Sequence, residues 1–86
     1  MADFVFTRHF LEELSEFEKT ASSADRRNLE QTLAAIVNDP RLPGSVPSFY
    51  EPALPSYLHR SGNMLIHYRT SQQGEIEFLN LFWPRV

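Results

Sequence analysis

Apolar residues in the first half of the chain recur at helical spacing in two separate stretches. The first stretch follows a β-prone run that predicts a strand over 3–7, and Thr7 can cap the helix that comes next. Its apolar positions are Phe10, Leu11, Leu14 and Phe17. Acidic residues lie between these positions, as on the solvent side of an amphipathic helix.

The second stretch begins after a polar break. Ser22 or Ser23 is a natural N-cap, and Asp25 suits the first turn of a helix. The apolar positions are Leu29, Leu33, Ile36 and Val37. We expect this helix to end by Asp39, because Pro40 disfavours helical geometry in the residue before it. Two amphipathic helices joined by a polar turn predict a helical hairpin.

The segment 40–55 interrupts the regular pattern because it holds five of the chain's six prolines. Proline removes a backbone donor and fixes φ, so we expect no regular element here. The segment is predicted to be a long ordered loop, which Phe49 and Tyr50 would anchor to the body.

The last thirty residues alternate between β-prone runs and turn residues. Strands are predicted over 57–60, 64–70 and 75–82, with turns at 61–63 and 71–74. Short turns force neighbouring strands to be antiparallel. The expected fold is therefore α+β in the order β-α-α-β-β-β, an antiparallel sheet with a two-helix hairpin packed on one face, and 1–86 forms a single domain.

Composition narrows the class of protein. The chain contains no cysteine, which excludes a disulfide framework and thiolate metal sites and favours a cytoplasmic location. No run approaches the roughly 20 apolar residues of a membrane span, so we expect no membrane partner. The three histidines, His9, His59 and His67, lack metal-ligand spacing, and we expect no metal and no cofactor.

Charge is distributed unevenly along the chain. The formal net charge is −3, yet residues 40–86 hold four arginines and no lysine against three acidic residues. Arginine binds phosphate and carboxylate in a bidentate way that lysine does not. The second half is therefore the place to look for anion recognition.

Strand alternation groups the candidate residues on one face of the sheet. Over 64–70, His67 and Arg69 share a face opposite Met64, Ile66 and Tyr68, and Arg60 and Arg85 could approach the same edge. Histidine can move a proton near neutral pH, and arginine can stabilise charge on a phosphorane. RNA supplies its own 2′-hydroxyl nucleophile. The competing interpretation is an ordinary solvated sheet face, with His59 and His9 as plain surface residues.

Residues 56–86, together with the order of elements and the size, resemble the RelE/ParE superfamily of bacterial toxins. The family pattern of a strand, a glycine turn and a second strand matches Arg60 to Tyr68, including Gly62. Gly74, the apolar strand 76–82 and the ending Trp83-Pro84-Arg85 continue the match. The chain departs from the nuclease branch at Leu65, where that branch commonly has arginine, and it lacks lysines on the preceding strand.

The resemblance implies the toxin of a type II toxin–antitoxin system, bound by a cognate antitoxin. One branch of the family cleaves mRNA on the ribosome, and we expect this activity ahead of gyrase inhibition because histidine and arginines share one candidate face. For that branch we expect His67, Arg69 and Arg85 as catalytic residues and Arg60 and His59 as substrate-binding residues. Another branch inhibits DNA gyrase without nuclease activity, and an inactive protein-binding relative is a further alternative.

Overall fold

The fold is described by a computed structural model over residues 3–39, 46–48, 56–71 and 73–84. Its elements are β1 (Phe4–Phe6), α1 (Arg8–Thr20), α2 (Ser23–Asn38), β2 (Val46–Ser48), β3 (Ser56–Ser61), β4 (Met64–Thr70) and β5 (Ile76–Phe82). The α+β class and the predicted order are confirmed, with β2 as an addition. The expected anchors Phe49 and Tyr50, and the candidate Arg85, lie outside the described residues.

Both helices begin at the predicted capping residues. The Thr7 hydroxyl accepts the backbone N–H of Phe10 at 3.3 Å, and the Ser22 hydroxyl accepts that of Asp25 at 3.1 Å. Each bond satisfies a backbone donor that has no partner within its own helix. The second helix ends at Asn38, before the extended Asp39, as the proline at 40 predicts.

The sheet is mixed rather than wholly antiparallel. Its strand order is β1-β5-β4-β3-β2, and β3, β4 and β5 form the predicted antiparallel meander. Strand β1 is the exception, because it runs parallel to β5 with Phe4 opposite Ile76. The helical hairpin intervenes after β1, so no tight turn forces β1 to be antiparallel to a neighbour.

The expectation that no regular element forms within 40–55 is wrong at β2. This three-residue strand pairs antiparallel with β3, with Pro47 opposite Tyr57. It is the last strand in the sheet order, and an edge strand tolerates proline because one side of its backbone needs no ladder partner.

The core lies between the helical hairpin and one face of the sheet. The helices contribute Phe10, Phe17, Leu29, Ile36 and Val37, and the sheet contributes Met64, Ile66, Tyr68, Ile76, Phe78 and Leu81. The predicted apolar face of β4 is thus the helix-packed face. We call the opposite side of the sheet the outer face, on which Arg60, His67 and Arg69 lie.

A β-bulge in β5 decides which of its residues enter the core. His67 pairs with Asn80 while Tyr68 pairs with Phe78, so Leu79 is the extra residue. Without the bulge, alternation would place Asn80 in the core beside Phe78. The bulge instead turns Asn80 to the outer face, opposite His67, and buries Leu81 completely.

Candidate functional site

The structure brings three of the five predicted site residues onto the outer face. His67 and Arg69 share that face in β4, and Arg60 joins them because it pairs with Leu65. His59 pairs with the core residue Ile66 and therefore lies on the helix-packed side. The site as predicted is thus divided between two faces of the sheet.

His67 is buried on the outer face, with only 4% of its surface exposed. Its Nδ1 lies 2.8 Å from Oδ1 of Asn80, and its Nε2 lies 2.8 Å from Oγ of Ser56. An amide oxygen only accepts hydrogen bonds, so Nδ1 carries the proton. In the neutral ring, Nε2 then accepts the hydroxyl proton of Ser56. Both ring nitrogens are engaged by neighbouring strands.

Glu13 of α1 fixes the orientation of the Asn80 amide. One carboxylate oxygen, Oε1, accepts Nδ2 of Asn80 at 3.4 Å and the backbone N–H of Leu81 at 3.1 Å. The same oxygen lies 3.2 Å from Nε2 of His9. A carboxylate cannot donate, so the amide nitrogen of Asn80 must face Glu13 and its oxygen must face His67. We call Glu13, Asn80, His67 and Ser56 the His67 network.

Ser56, His67 and Asn80 are linked in the order of a nucleophile, a general base and an orienting group. Serine, histidine and asparagine in this geometry are chemically able to activate a hydroxyl. However, Ser56 is 3% exposed and His67 is 4% exposed, so a substrate has no access to the hydroxyl in this structure. The arrangement holds β3, β4 and β5 in register, and every buried polar side-chain atom of the described residues has a partner.

The two arginines of the outer face differ in how readily they could bind an anion. Nε of Arg69 donates to Oε1 of Glu77 at 2.8 Å across the β4–β5 pair, and both side chains are about three-quarters buried. Arg60 is exposed. Anion recognition on this face would therefore start from Arg60, while Arg69 is already paired with a carboxylate.

The pKa of His59 is affected by the position of the ring on the helix-packed side. Burial there disfavours the charged ring and lowers the pKa of His59 from its ordinary value of 6.5. A lowered pKa leaves the ring mostly neutral near pH 7, which does not favour a phosphate-binding role.

Sequence patterns missed three members of the His67 network: Glu13, Ser56 and Asn80. One signal was present, since Asn80 is the only amide in the apolar strand Ile76–Phe82, and asparagine is depleted in strands. A polar residue in such a position indicates either a bulge or a buried partner. Glu13 gave no comparable signal, because it resembles the other acidic residues of α1.

A second feature is an apolar cleft of about 320 Å³ between β1 and α2, which we call the β1 edge cleft. Its apolar walls include Phe4, Phe6, Leu33, Ala34 and Val37. Phe4 is 48% exposed although its ring packs edge-on against that of Phe78, with 6.2 Å between the ring centroids. Strand β1 is the first in the sheet order, so the cleft adjoins a sheet edge.

Within the described residues, no three metal-ligating side chains converge on one point. Neither of the two helices there has the length and apolar character to cross a bilayer. No protein-family model and no curated protein matches this chain.

Proposed function

We propose that this chain is the cytoplasmic toxin of a type II toxin–antitoxin pair, of the RelE/ParE kind, and that it acts by binding a protein rather than by cleaving mRNA. The order of elements and the motif from Arg60 to Tyr68 support the family. The choice of a binding mechanism rests on one observation: both ring nitrogens of the buried His67 are already engaged, at 2.8 Å each. The β1 edge cleft, which combines exposed aromatic surface with an edge strand of the sheet, is the site we assign to the antitoxin.

The backbone of β1 is suited to receive an added strand. The carbonyl of Asp3 and the N–H of Thr7 are bonded to β5. Because successive residues of a strand direct their backbone groups to opposite sides, Phe4 and Phe6 direct theirs away from β5. An extended peptide could therefore pair with β1 while placing alternate side chains into the cleft.

The occupant we propose is a segment of the antitoxin that is disordered before it binds. Such a segment would be extended, with apolar residues at every second position to match the spacing of Phe4 and Phe6. Burial of the exposed part of Phe4, near half of the residue's surface, would contribute on the order of 1–2 kcal/mol.

The mRNA-cleaving alternative receives less support from the outer face. A proton-transfer role would require His67 to release at least one of its two ring hydrogen bonds. Arg69 would have to exchange Glu77 for a phosphate. The net charge of −3 also gives no general attraction to the ribosome.

The test is to express the chain alone from an inducible promoter in bacteria. Growth, the 5′ ends of cellular mRNA and plasmid supercoiling are measured together. We expect growth arrest with intact messages, and altered supercoiling would identify gyrase as the target. New mRNA ends within coding regions would overturn the binding mechanism in favour of cleavage. Unimpaired growth with folded protein would overturn the assignment as a toxin.

The β1 edge cleft is tested separately with a matched pair of variants. Phe4 and Phe82 have similar exposure, 48% and 46%, but only Phe4 lines the cleft. The assignment predicts a small reading frame for the antitoxin beside this gene. With that antitoxin co-expressed, Phe4→Asp should abolish rescue of growth, whereas Phe82→Asp should retain it. Equal rescue of both variants would exclude the cleft as the antitoxin site.

A further inference from the structure

A second cleft lies beside two turns of the chain. It has a volume of about 570 Å³ and is lined by the α1–α2 turn, the β3–β4 turn and the residues after β5. Trp83 forms the aromatic wall of this cleft, and the ring of Phe17, which is only 3% exposed, supports it edge-to-face at a centroid distance of 5.4 Å. This cleft shares no lining residue with the β1 edge cleft and contains no member of the His67 network.

The polar lining of this cleft is anionic. Glu16 and Asp25 contribute carboxylates, and Asn63 contributes a neutral amide. Lys19 already lies 3.0 Å from Oε1 of Glu16, but both side chains are well exposed. An exposed pair of this kind contributes little to stability, so an incoming cation can replace Lys19 at little cost.

We propose that this cleft binds an organic cation, a guanidinium on an alkyl stem. The stem and the planar guanidinium would both lie against Trp83, and the guanidinium would donate to Glu16 and Asp25. The side-chain oxygen of Asn63 can accept a further N–H. A divalent metal fits less well, because a metal needs several converging oxygen ligands and gains nothing from an aromatic wall.

This site is independent of the proposed toxin function. The guanidinium could belong to a small metabolite or to an arginine side chain of another protein, and the two share the same chemistry. The proposal therefore concerns a part of the molecule that belongs neither to the outer face nor to the β1 edge cleft.

The assay uses Trp83, the only tryptophan in the chain, as the reporter. Its fluorescence is recorded while the full chain is titrated with n-butylguanidine, and then with n-butylurea, which is the uncharged isostere. We expect saturable binding of the guanidine, weaker at high salt, and at least tenfold weaker binding of the urea. Similar affinity for both probes would overturn the proposal by showing that only the apolar stem is recognised.

Single variants locate the cation. Glu16→Gln and Asp25→Asn should each weaken guanidine binding by about two- to fivefold. Lys19→Gln should strengthen it, since it removes the competing ammonium from Glu16. The matched control is Glu12→Gln on the same helix, whose carboxylate also forms an exposed pair, with Arg8. Circular dichroism verifies folding of each variant.

Two patterns would contradict the assignment. If Lys19→Gln and Glu16→Gln both leave the affinity unchanged, the cation does not contact this carboxylate. If Glu12→Gln weakens binding as much as Glu16→Gln does, the effect is general charge and not a site. Titration with Nα-acetyl-arginine amide separates the sources. Tighter binding than n-butylguanidine indicates an arginine side chain, and weaker binding indicates a free small molecule.

Discussion

The replacement His67→Ala tests the structural role of the buried imidazole. It leaves the buried Ser56 hydroxyl and the half-buried Asn80 amide oxygen without their 2.8 Å partners. An unsatisfied buried polar group costs about 1–3 kcal/mol, and loss of the ring adds a cavity term of about 1 kcal/mol. With one fully buried and one half-buried group left unsatisfied, we expect the free energy of unfolding to fall by about 2–5 kcal/mol. A chain of 86 residues has a typical stability of about 4–13 kcal/mol, so this loss would be a large fraction of the total.

The measurement is urea unfolding followed by circular dichroism, with the exposed outer-face variant Arg60→Ala as the control. Arg60→Ala should change the free energy of unfolding by no more than about 0.5 kcal/mol. Ser56→Ala removes one partner only and should cost about 1–3 kcal/mol. A loss below 1 kcal/mol for His67→Ala, or a loss equal to that of Arg60→Ala, would refute the claim that His67 organises the sheet.

Three further predictions concern other interactions of the fold. Thr7→Val should cost about 1–2 kcal/mol, because the hydroxyl both caps α1 and donates to the Phe78 carbonyl at 2.8 Å; an unchanged urea midpoint would contradict this. Because the pKa of His59 is lowered in the folded state, the unfolded chain binds more protons, so stability should rise with pH from the folded pKa up to about 6.5 and then level off. His59→Gln should remove that part of the pH dependence, and an NMR titration of His59 at or above 6.5 would refute the sign. A double-mutant cycle on Arg69 and Glu77 should give a coupling energy of about 0.5–1 kcal/mol, and a value near zero would contradict a stabilising role for the pair.

The regular elements were predictable because their signals are local. The caps at Thr7 and Ser22, the helical spacing of Phe10 and Phe17, and the turn at Gly62 all act within a few residues. Gly62 adopts φ +60°, a left-handed conformation that glycine reaches without strain. Such features depend on neighbours in sequence, and the structure reproduces them.

The remaining features depend on partners distant in sequence. The parallel pairing of β1 with β5 joins residues about seventy positions apart, and no turn encodes it. The extra residue Leu79 changes which residues of β5 face the core. It does so only because the pairing of β5 with β4 is fixed on both sides of the bulge. The position of His59 on the helix-packed side follows from its register with Ile66, which the pattern of β3 alone does not give.

Prediction of the candidate site from sequence is limited in the same way. Alternation correctly placed His67 and Arg69 on the face opposite the core. It could not show that Ser56 and Asn80 would enclose the imidazole, or that Glu77 would pair with Arg69. Strand pattern predicts a face, whereas burial and hydrogen bonding within that face depend on the whole sheet.

The central claim is that the His67 imidazole is committed to a buried hydrogen-bond network and is not an open reaction group. Long-range ¹H–¹⁵N NMR of the histidine rings in the folded chain tests it most directly. We predict a single tautomer for His67, with a slowly exchanging proton on Nδ1 close to Asn80 and an unprotonated Nε2 that accepts from Ser56. A His67 ring that averages between tautomers and exchanges its proton rapidly with water would contradict the account.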